Sequence, residues 1–299
     1  MSSCVDQPPV TEIKYPLISI SIPTHNSSPT IETCIASIKN QSYPRFEIIV
    51  IDGNSSDGTV AIAKKLGAQV LIHNGSLLEA RLLGISVSQG EYILLLDSDQ
   101  ILKKDSLELC IKEIDDKDML CIGETAYERK TFVQRFLNSA KYVSQSNVGK
   151  YLNPYSGLLL PRFFRSSLIK KASLYVNKKI SNLVFDRDHQ ILFFEAWQFS
   201  QKVGYVDNVI YHNEPDSLQV VLKKAYRWGH TAGILRSTHS YDFLLRNKFT
   251  IRVIGGGSNL SRSQLLLLIE ANSISFIKGI PYGIGYLMGF VRGVIFGQN

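Results

Sequence analysis

The sequence predicts an α/β protein: a mainly parallel sheet flanked by helices, with a helical C-terminal extension. Two observations carry that expectation. Over the first hundred residues, short apolar strands alternate with amphipathic helical segments, the order a parallel sheet with both faces covered requires. Beyond residue 215 the strand patterns stop while helical patterns continue. Of the 299 residues, 44% are hydrophobic and 20% charged, enough for a substantial core and against global disorder.

The elements follow in order. Leu17 to Ile22, Phe46 to Ile51, Val70 to His73 and Tyr92 to Leu96 read as strands. Between them, Ile31, Cys34, Ile35 and Ile38 recur at helical spacing, and Thr59 to Leu66 and Leu77 to Val87 repeat the design. Further along come a helix near Phe132 to Tyr142, a strand at Gly157 to Leu160, and helices at Ser166 to Leu174 and Asp188 to Gln201. A strand at Tyr205 to Tyr211 and a helix at Ser217 to Thr231 follow. Gly255-Gly256-Gly257-Ser258 is a breaker before a short helix, Gln264 to Ala271. The expected organisation is a tail (1–15), a catalytic domain (16–215, with halves 16–102 and 103–215) and a helical region (216–299).

The tail from Ile274 to Phe296 carries only Lys278 and Arg292 as charges, with 13 residues between them, short of the ~20 a spanning helix needs. Gly285, Gly289, Gly293 and Gly297 fall on one helical ridge, where close backbone approach is possible. Residues 274–296 are therefore the segment expected to give a peripheral membrane contact.

The net charge of +7 is dispersed in pairs such as Lys64-Lys65 and Lys223-Lys224. That favours a phosphate-bearing small molecule or an anionic membrane over a nucleic-acid groove, and no aromatic-and-basic stripe argues for RNA. The four cysteines form no CxxC. The first fifteen residues carry no signal-peptide apolar region, which predicts a cytosol-facing protein, at the inner face of the cell membrane if the tail docks there.

The chemistry gathers at strand ends, where ligands of parallel sheets bind. Asp97-Ser98-Asp99 follows the fourth strand; on an extended chain both carboxylates would share a face and suit Mn2+ or Mg2+. The second strand ends in Asp52-Gly53-Asn54-Ser55-Ser56-Asp57-Gly58-Thr59, where Asp52 could accept hydrogen bonds from a base or ribose, and Asp57 and Thr59 equally suit helix capping. The first strand runs into Pro23-Thr24-His25-Asn26, and Ala80-Arg81 lies on the helix before the Asp-Ser-Asp strand.

These four ordered motifs, from Ile18 to Leu102, resemble the nucleotide-binding half of the family-2 glycosyltransferases, inverting enzymes with the A-type fold. The resemblance implies a nucleotide-sugar pocket at Pro23, Thr24, Asn26, Asp52, Arg81, Asp97 and Ser98, and a metal at Asp97 and Asp99, with His212 as a further ligand candidate. One departure is Leu82, where many members carry Asn. Inversion needs a base on the acceptor hydroxyl. Phe185-Asp186-Arg187-Asp188 offers Asp188, with Asp186 in reserve, where relatives carry Glu-Asp. Arg227 and Trp228, in Tyr226-Arg227-Trp228-Gly229, resemble an ending seen in relatives and are acceptor or diphosphate candidates. Pro161-Arg162-Phe163-Phe164-Arg165 resembles an acceptor-pocket wall with no catalytic role assigned.

The expected activity is metal-dependent transfer from a nucleoside-diphosphate sugar, UDP-linked for preference, to a glycan, polysaccharide or lipid-linked acceptor. Two rivals stand beside it. A nucleotidyltransferase of related fold would carry a Gly-rich, Arg-containing loop after its first strand, which Pro23-Thr24-His25-Asn26 is not. A catalytically inactive binding protein would have lost the acidic pair, which this chain keeps.

Overall fold

The structure is a computed structural model that describes residues 15–145, 152–156, 159–245 and 261–296. Among the described residues eight strands form one sheet: β1 (Ile18–Thr24), β2 (Phe46–Asp52), β3 (Gln69–Ile72), β4 (Tyr92–Leu95), β5 (Gln100–Leu102), β6 (Met119–Ala126), β7 (Pro161–Arg165) and β8 (Val203–His212). Their spatial order is β3-β2-β1-β4-β7-β6-β8-β5.

The first four strands pair in parallel, as the alternation predicts. The second half is mixed. β7 runs antiparallel to both β4 and β6, β5 antiparallel to β8, and β6 parallel to β8. The strand expected at Gly157 to Leu160 is displaced to Pro161–Arg165. Pro161 lacks an N–H, and it occupies the strand's first position, where that loss is tolerated. β1 is buried along its whole length, Ser19 and Ser21 included, whereas β3 at the edge of the sheet is only partly covered.

The helices are α1 (Ser28–Lys39), α2 (Thr59–Lys65), α3 (Leu77–Val87), α4 (Ser106–Glu113), α5 (Phe132–Gln145), α6 (Ser166–Ser173), α7 (Lys178–Ser181), α8 (Asp188–Trp197), α9 (Leu218–Ser237) and α10 (Arg262–Phe296). In α1, Ile31, Cys34, Ile35 and Ile38 are the buried residues, as their spacing predicts. Helix α3 opens with a capping box in which Ser76 and Glu79 satisfy each other's backbone amides. The separation expected between a short helix at Gln264 to Ala271 and an apolar tail is absent, because α10 runs unbroken through both. Pro281 lies inside it. The Gly255 to Ser258 breaker and Gly297 fall outside the described residues.

Helix α10 packs along α9 backbone to backbone. A Cβ on Gly229 would collide with the Tyr282 carbonyl, and one on Gly289 with the His230 carbonyl. The glycine ridge therefore faces α9, and the apolar side chains of α10 are left outward: Phe276 is 84% exposed and Ile280 74%. The segment Leu265–Ile295 is long and apolar enough to cross a membrane by length and composition.

Gly289→Val is expected to destabilise the protein by about 1–3 kcal/mol through overpacking of this contact. Urea unfolding measures it, with Gly279→Ala, where nothing lies near an added Cβ, as the control.

Candidate active site

Strands β1, β2 and β4 are parallel and in register, so Thr24 lies beside Asp52 and the segment after Leu95 opens on the same edge. That edge collects the residues the sequence singles out.

The first cluster is a set of loop braces. Asp52 is fully buried and accepts hydrogen bonds from Thr24 Oγ1 (2.7 Å), Ser55 N (2.8 Å) and Ser55 Oγ (2.6 Å). Asn26, in the left-handed region at φ 49°, accepts from Ser56 N (3.0 Å). Asp57 accepts the amides of Ser28 and Thr59 (both 3.0 Å), the capping role. Pro23 is buried in β1, and Ser98 Oγ donates to Ser27 Oγ (2.9 Å). Thr24, Asn26 and Asp52 thus tie two loops together, with exposed Asn26 at the surface and Asp52 beneath.

The second cluster centres on Arg81, which is 0% exposed. Its Nε donates to Asp188 Oδ2 (2.9 Å), its Nη1 to the Leu96 carbonyl (2.8 Å) and its Nη2 to Asp97 Oδ1. A wholly enclosed guanidinium has no surface to offer a nucleotide, so Arg81 lies under the pocket where the resemblance implied a lining residue. Arg162 takes the other side: Nη1 is 3.0 Å from Asp97 Oδ2, and Nε donates to Glu124 Oε1 (2.9 Å). His189 Nε2 lies 3.0 Å from Arg81 Nη2 and 2.9 Å from Arg162 Nη1, so it accepts from both as a neutral ring. Burial and the two guanidinium groups push its pKa down accordingly.

The two carboxylates of Asp97-Ser98-Asp99 do not share a face. β4 ends at Leu95 and the motif lies in a turn, closed by Gln100 N donating to the Asp97 carbonyl (3.1 Å), so the alternation of an extended chain does not apply. Asp97 turns inward to Arg81 and Arg162, with both oxygens engaged, which withdraws it as a metal ligand in this arrangement. Asp99 turns to His212 and Lys224: Oδ1 is 3.5 Å from His212 Nε2 and Oδ2 is 3.8 Å from Lys224 Nζ. Asp99 and His212 are the pair whose oxygen and nitrogen donors could hold a divalent cation. His212 Nδ1 lies 3.3 Å from Glu214 Oε1. Among the described residues no cluster of three or more His, Cys, Asp or Glu forms a complete metal site.

A run of alternating charge closes the site. Lys141 Nζ is 2.9 Å from Glu124 Oε2 and 2.6 Å from Glu214 Oε1. Burial would push the Glu124 carboxyl up, but Lys141 and Arg162 outweigh it and hold it down at about 2. Beside these residues opens a cavity of about 420 Å3. Trp228 lines it; Arg227 does not, and acts instead on Asp186. Asp186 sits behind Arg187, 3.7 Å away, and burial raises its carboxyl to about 7 despite both arginines. Arg187 precedes α8 at φ 63°, so Asp188 opens the helix bound to Arg81 rather than capping it.

The sequence profile described as "Glycosyl transferase family 2" matches residues 19–171, just over half of the chain. The chain belongs to glycosyl transferase family 2. A chondroitin synthase of Pasteurella multocida (strain Pm70) is 35% identical to this family 2 chain over 119 residues, 38% of this chain but 12% of the synthase, so most of that relative's length has no counterpart here. S. aureus TarS 1-349 in complex with UDP aligns at TM-score 0.52 and 18% identity, covering 94% of this chain and 90% of TarS. The mannosyltransferase PcManGT from Pyrobaculum calidifontis, in complex with GDP-Man and Mn2+, aligns at 0.55 and 14%, covering 96% and 89%. At such identities the likeness speaks for the fold, which is the A-type glycosyltransferase fold.

Sequence reasoning gave no role to Arg162, His189, Glu124, Lys141 or Glu214. The available signal was a lone charge inside apolar strands: Arg162 within Leu158-Leu159-Leu160-Pro161-Arg162-Phe163-Phe164, and Glu124 near the end of β6.

The depressed Glu124 carboxyl stabilises the fold at neutral pH. That contribution is complete above its ordinary value near 4.5 and disappears as pH falls through about 2. Glu124→Gln is expected to lower stability by on the order of 2–3 kcal/mol at pH 7, with the gap closing below pH 4.5 in urea titrations at stepped pH.

Proposed function

We propose that this family 2 protein transfers a sugar, with inversion, from a nucleoside-diphosphate sugar to a hydroxyl of a glycan acceptor in polysaccharide or envelope synthesis. The observation that carries it is His212 lining the 420 Å3 cavity with Asp99 3.5 Å from its ring, near the strand edge where Thr24, Asn26 and Asp52 order their loops. A uridine donor is the first choice, because TarS has been solved with UDP; PcManGT, solved with GDP-Man and Mn2+, keeps guanosine donors in the test. The chondroitin synthase supports a polysaccharide product.

Asp99 and His212 would hold Mn2+ or Mg2+, which supplies charge neutralisation to the departing diphosphate. Asp188 is the base: it takes the acceptor hydroxyl proton while that oxygen bonds to the anomeric carbon and the bond to diphosphate breaks. It is favoured over Asp186 because the guanidinium that fixes it also fixes Asp97, next to the diphosphate position. Asp186, facing Arg227 and Thr231 of α9, is the reserve.

A panel of sugar nucleotides with Mn2+ tests the class: release of nucleoside diphosphate with a new glycosidic bond supports transfer, whereas pyrophosphate release from a triphosphate would indicate a nucleotidyltransferase. Asp99→Ala is expected to abolish metal-dependent UDP binding in calorimetry. Asp188→Asn should bind UDP normally while kcat falls about 10²–10⁴-fold, with Asp186→Asn much milder; the reverse ranking moves the base to Asp186.

We also assign the outward face of α10 to an anionic lipid surface at the inner face of the cell membrane. Phe276, Ile280 and Leu287 are exposed on it, and α9 and α10 carry seven basic residues against one acid, Glu270, which is held by Arg135 and Ser139. The full chain should co-sediment with vesicles of phosphatidylglycerol and phosphatidylcholine, and weakly with phosphatidylcholine alone. Replacing Phe276, Ile280 and Leu287 by Ser should remove the binding; retention would contradict the assignment.

A further inference from the structure

The cavity beside His212 has a polar side and an apolar one. The strands supply Glu124, Arg162 and His212, whose charges are met within the network that runs from Asp97 to Glu214. Two lysines of the helical wall, Lys141 and Lys224, reach across to carboxylates of that network and of Asp99. The rest of the helical wall is apolar: Leu137 and Ala140 of α5 and Val221 and Trp228 of α9, with Leu160 beside them. Leu137, Ala140 and Val221 belong to the same apolar cluster as Ala271 and Ile274 of α10.

A free glycan presents hydroxyls on nearly every edge. Aliphatic side chains give them no hydrogen-bond partner, and burying an unpaired hydroxyl costs free energy. One sugar face can stack on Trp228, which still leaves Leu137, Ala140, Leu160 and Val221 unmatched by a purely saccharide ligand. Hydrocarbon matches them, because each buried methylene is favourable. A ligand suited to both sides therefore carries a sugar at one end and an apolar chain at the other.

Helix α10 joins this cavity to the face assigned to lipid. Lys278 lines the cavity, its ammonium 5.3 Å from the Trp228 ring centroid. Phe276 and Ile280, two residues to either side, are exposed on the outward face. Two residues turn a helix by about 200° and advance it by about 3 Å. Cavity wall and lipid face thus lie on opposite flanks of the same turns, roughly one helix diameter apart. Resting on the acceptor and lipid-surface readings above, we propose that the acceptor is a lipid-anchored glycan whose accepting sugar is close to its anchor. The sugar meets the strand side at His212, and the first carbons of the anchor lie along Leu137, Val221 and Trp228.

The chain has two tryptophans, Trp197 and Trp228, so a Trp197→Phe protein reports on the cavity wall through intrinsic fluorescence. With UDP and Mn2+ present, it is titrated with octyl and methyl glucoside and with octyl and methyl N-acetylglucosaminide, all below micelle-forming concentrations. Within each pair the octyl glycoside should half-saturate at least tenfold below its methyl partner, a factor that about two buried methylenes supply. Leu137→Asn should bring the two together, and Leu160→Asn repeats the test from a separate element should Leu137→Asn fail to fold. Equal half-saturation within either pair, no fluorescence response, or a gap that survives both Asn substitutions would overturn the proposal. So would a gap abolished by replacing Phe276, Ile280 and Leu287 with Ser, because the alkyl chain would then be binding the outward face of α10. Failure of UDP and Mn2+ to bind at all would instead count against the transferase reading.

Discussion

A guanidinium sealed from water must find carboxylates, and Arg81 finds two that lie far apart in the chain. Asp97 comes from the turn after β4 and Asp188 from the first residue of α8. Taking such ions out of water costs several kcal/mol each, a cost that mutual attraction offsets only when the geometry is good and the remaining hydrogen-bonding positions are filled. Here Nη1 of Arg81 is met by the Leu96 carbonyl and Nη2 also reaches His189. The result is a fixed joint between the turn after β4, beside the loops proposed to meet the nucleotide, and the start of α8, which carries the proposed base. Lysine could not make it, because the joint needs a planar fork.

From that joint the charges alternate outward: Asp97 to Arg162, Arg162 to Glu124, Glu124 to Lys141, Lys141 to Glu214, and Glu214 to His212 beside Asp99. Each member is oriented by an opposite charge on a different element, so β4, β6, β7, α5 and the end of β8 position one another. The antiparallel insertion of β7 between β4 and β6 makes this possible, since it delivers Arg162 between Asp97 and Glu124. Preorganisation of this kind holds catalytic side chains on rigid elements. The helical hairpin of α9 and α10 completes the cavity with Trp228 and Lys278 and leaves an apolar face outward.

Much of the first half was legible because its signals are local. Buried parallel strands read as apolar runs, and α3 begins and ends at Leu77 and Val87 as its periodicity predicts. The residue pair Asp97 and Asp99 was found, but its geometry was misjudged: alternation holds only while a strand continues, and β4 stops at Leu95. Arg162 and Glu124 stayed without a role because their significance lies in partners from elements distant in sequence, which no local pattern encodes. The continuity of α10 was missed for a related reason. A short helix at Gln264 to Ala271 and a Gly-rich apolar tail from Ile274 read as separate segments, whereas one helix runs through both, packed against Gly229 and Gly233.

The most direct measurement of this account is a double-mutant cycle on the joint itself, pairing Arg81→Met with Asp97→Asn and reading stability by urea unfolding at pH 7. An ion pair whose guanidinium is sealed in the interior predicts a coupling energy of about 1–3 kcal/mol between the two substitutions. Additive effects, with coupling below about 0.5 kcal/mol, would show that the two side chains do not depend on each other and would contradict the account.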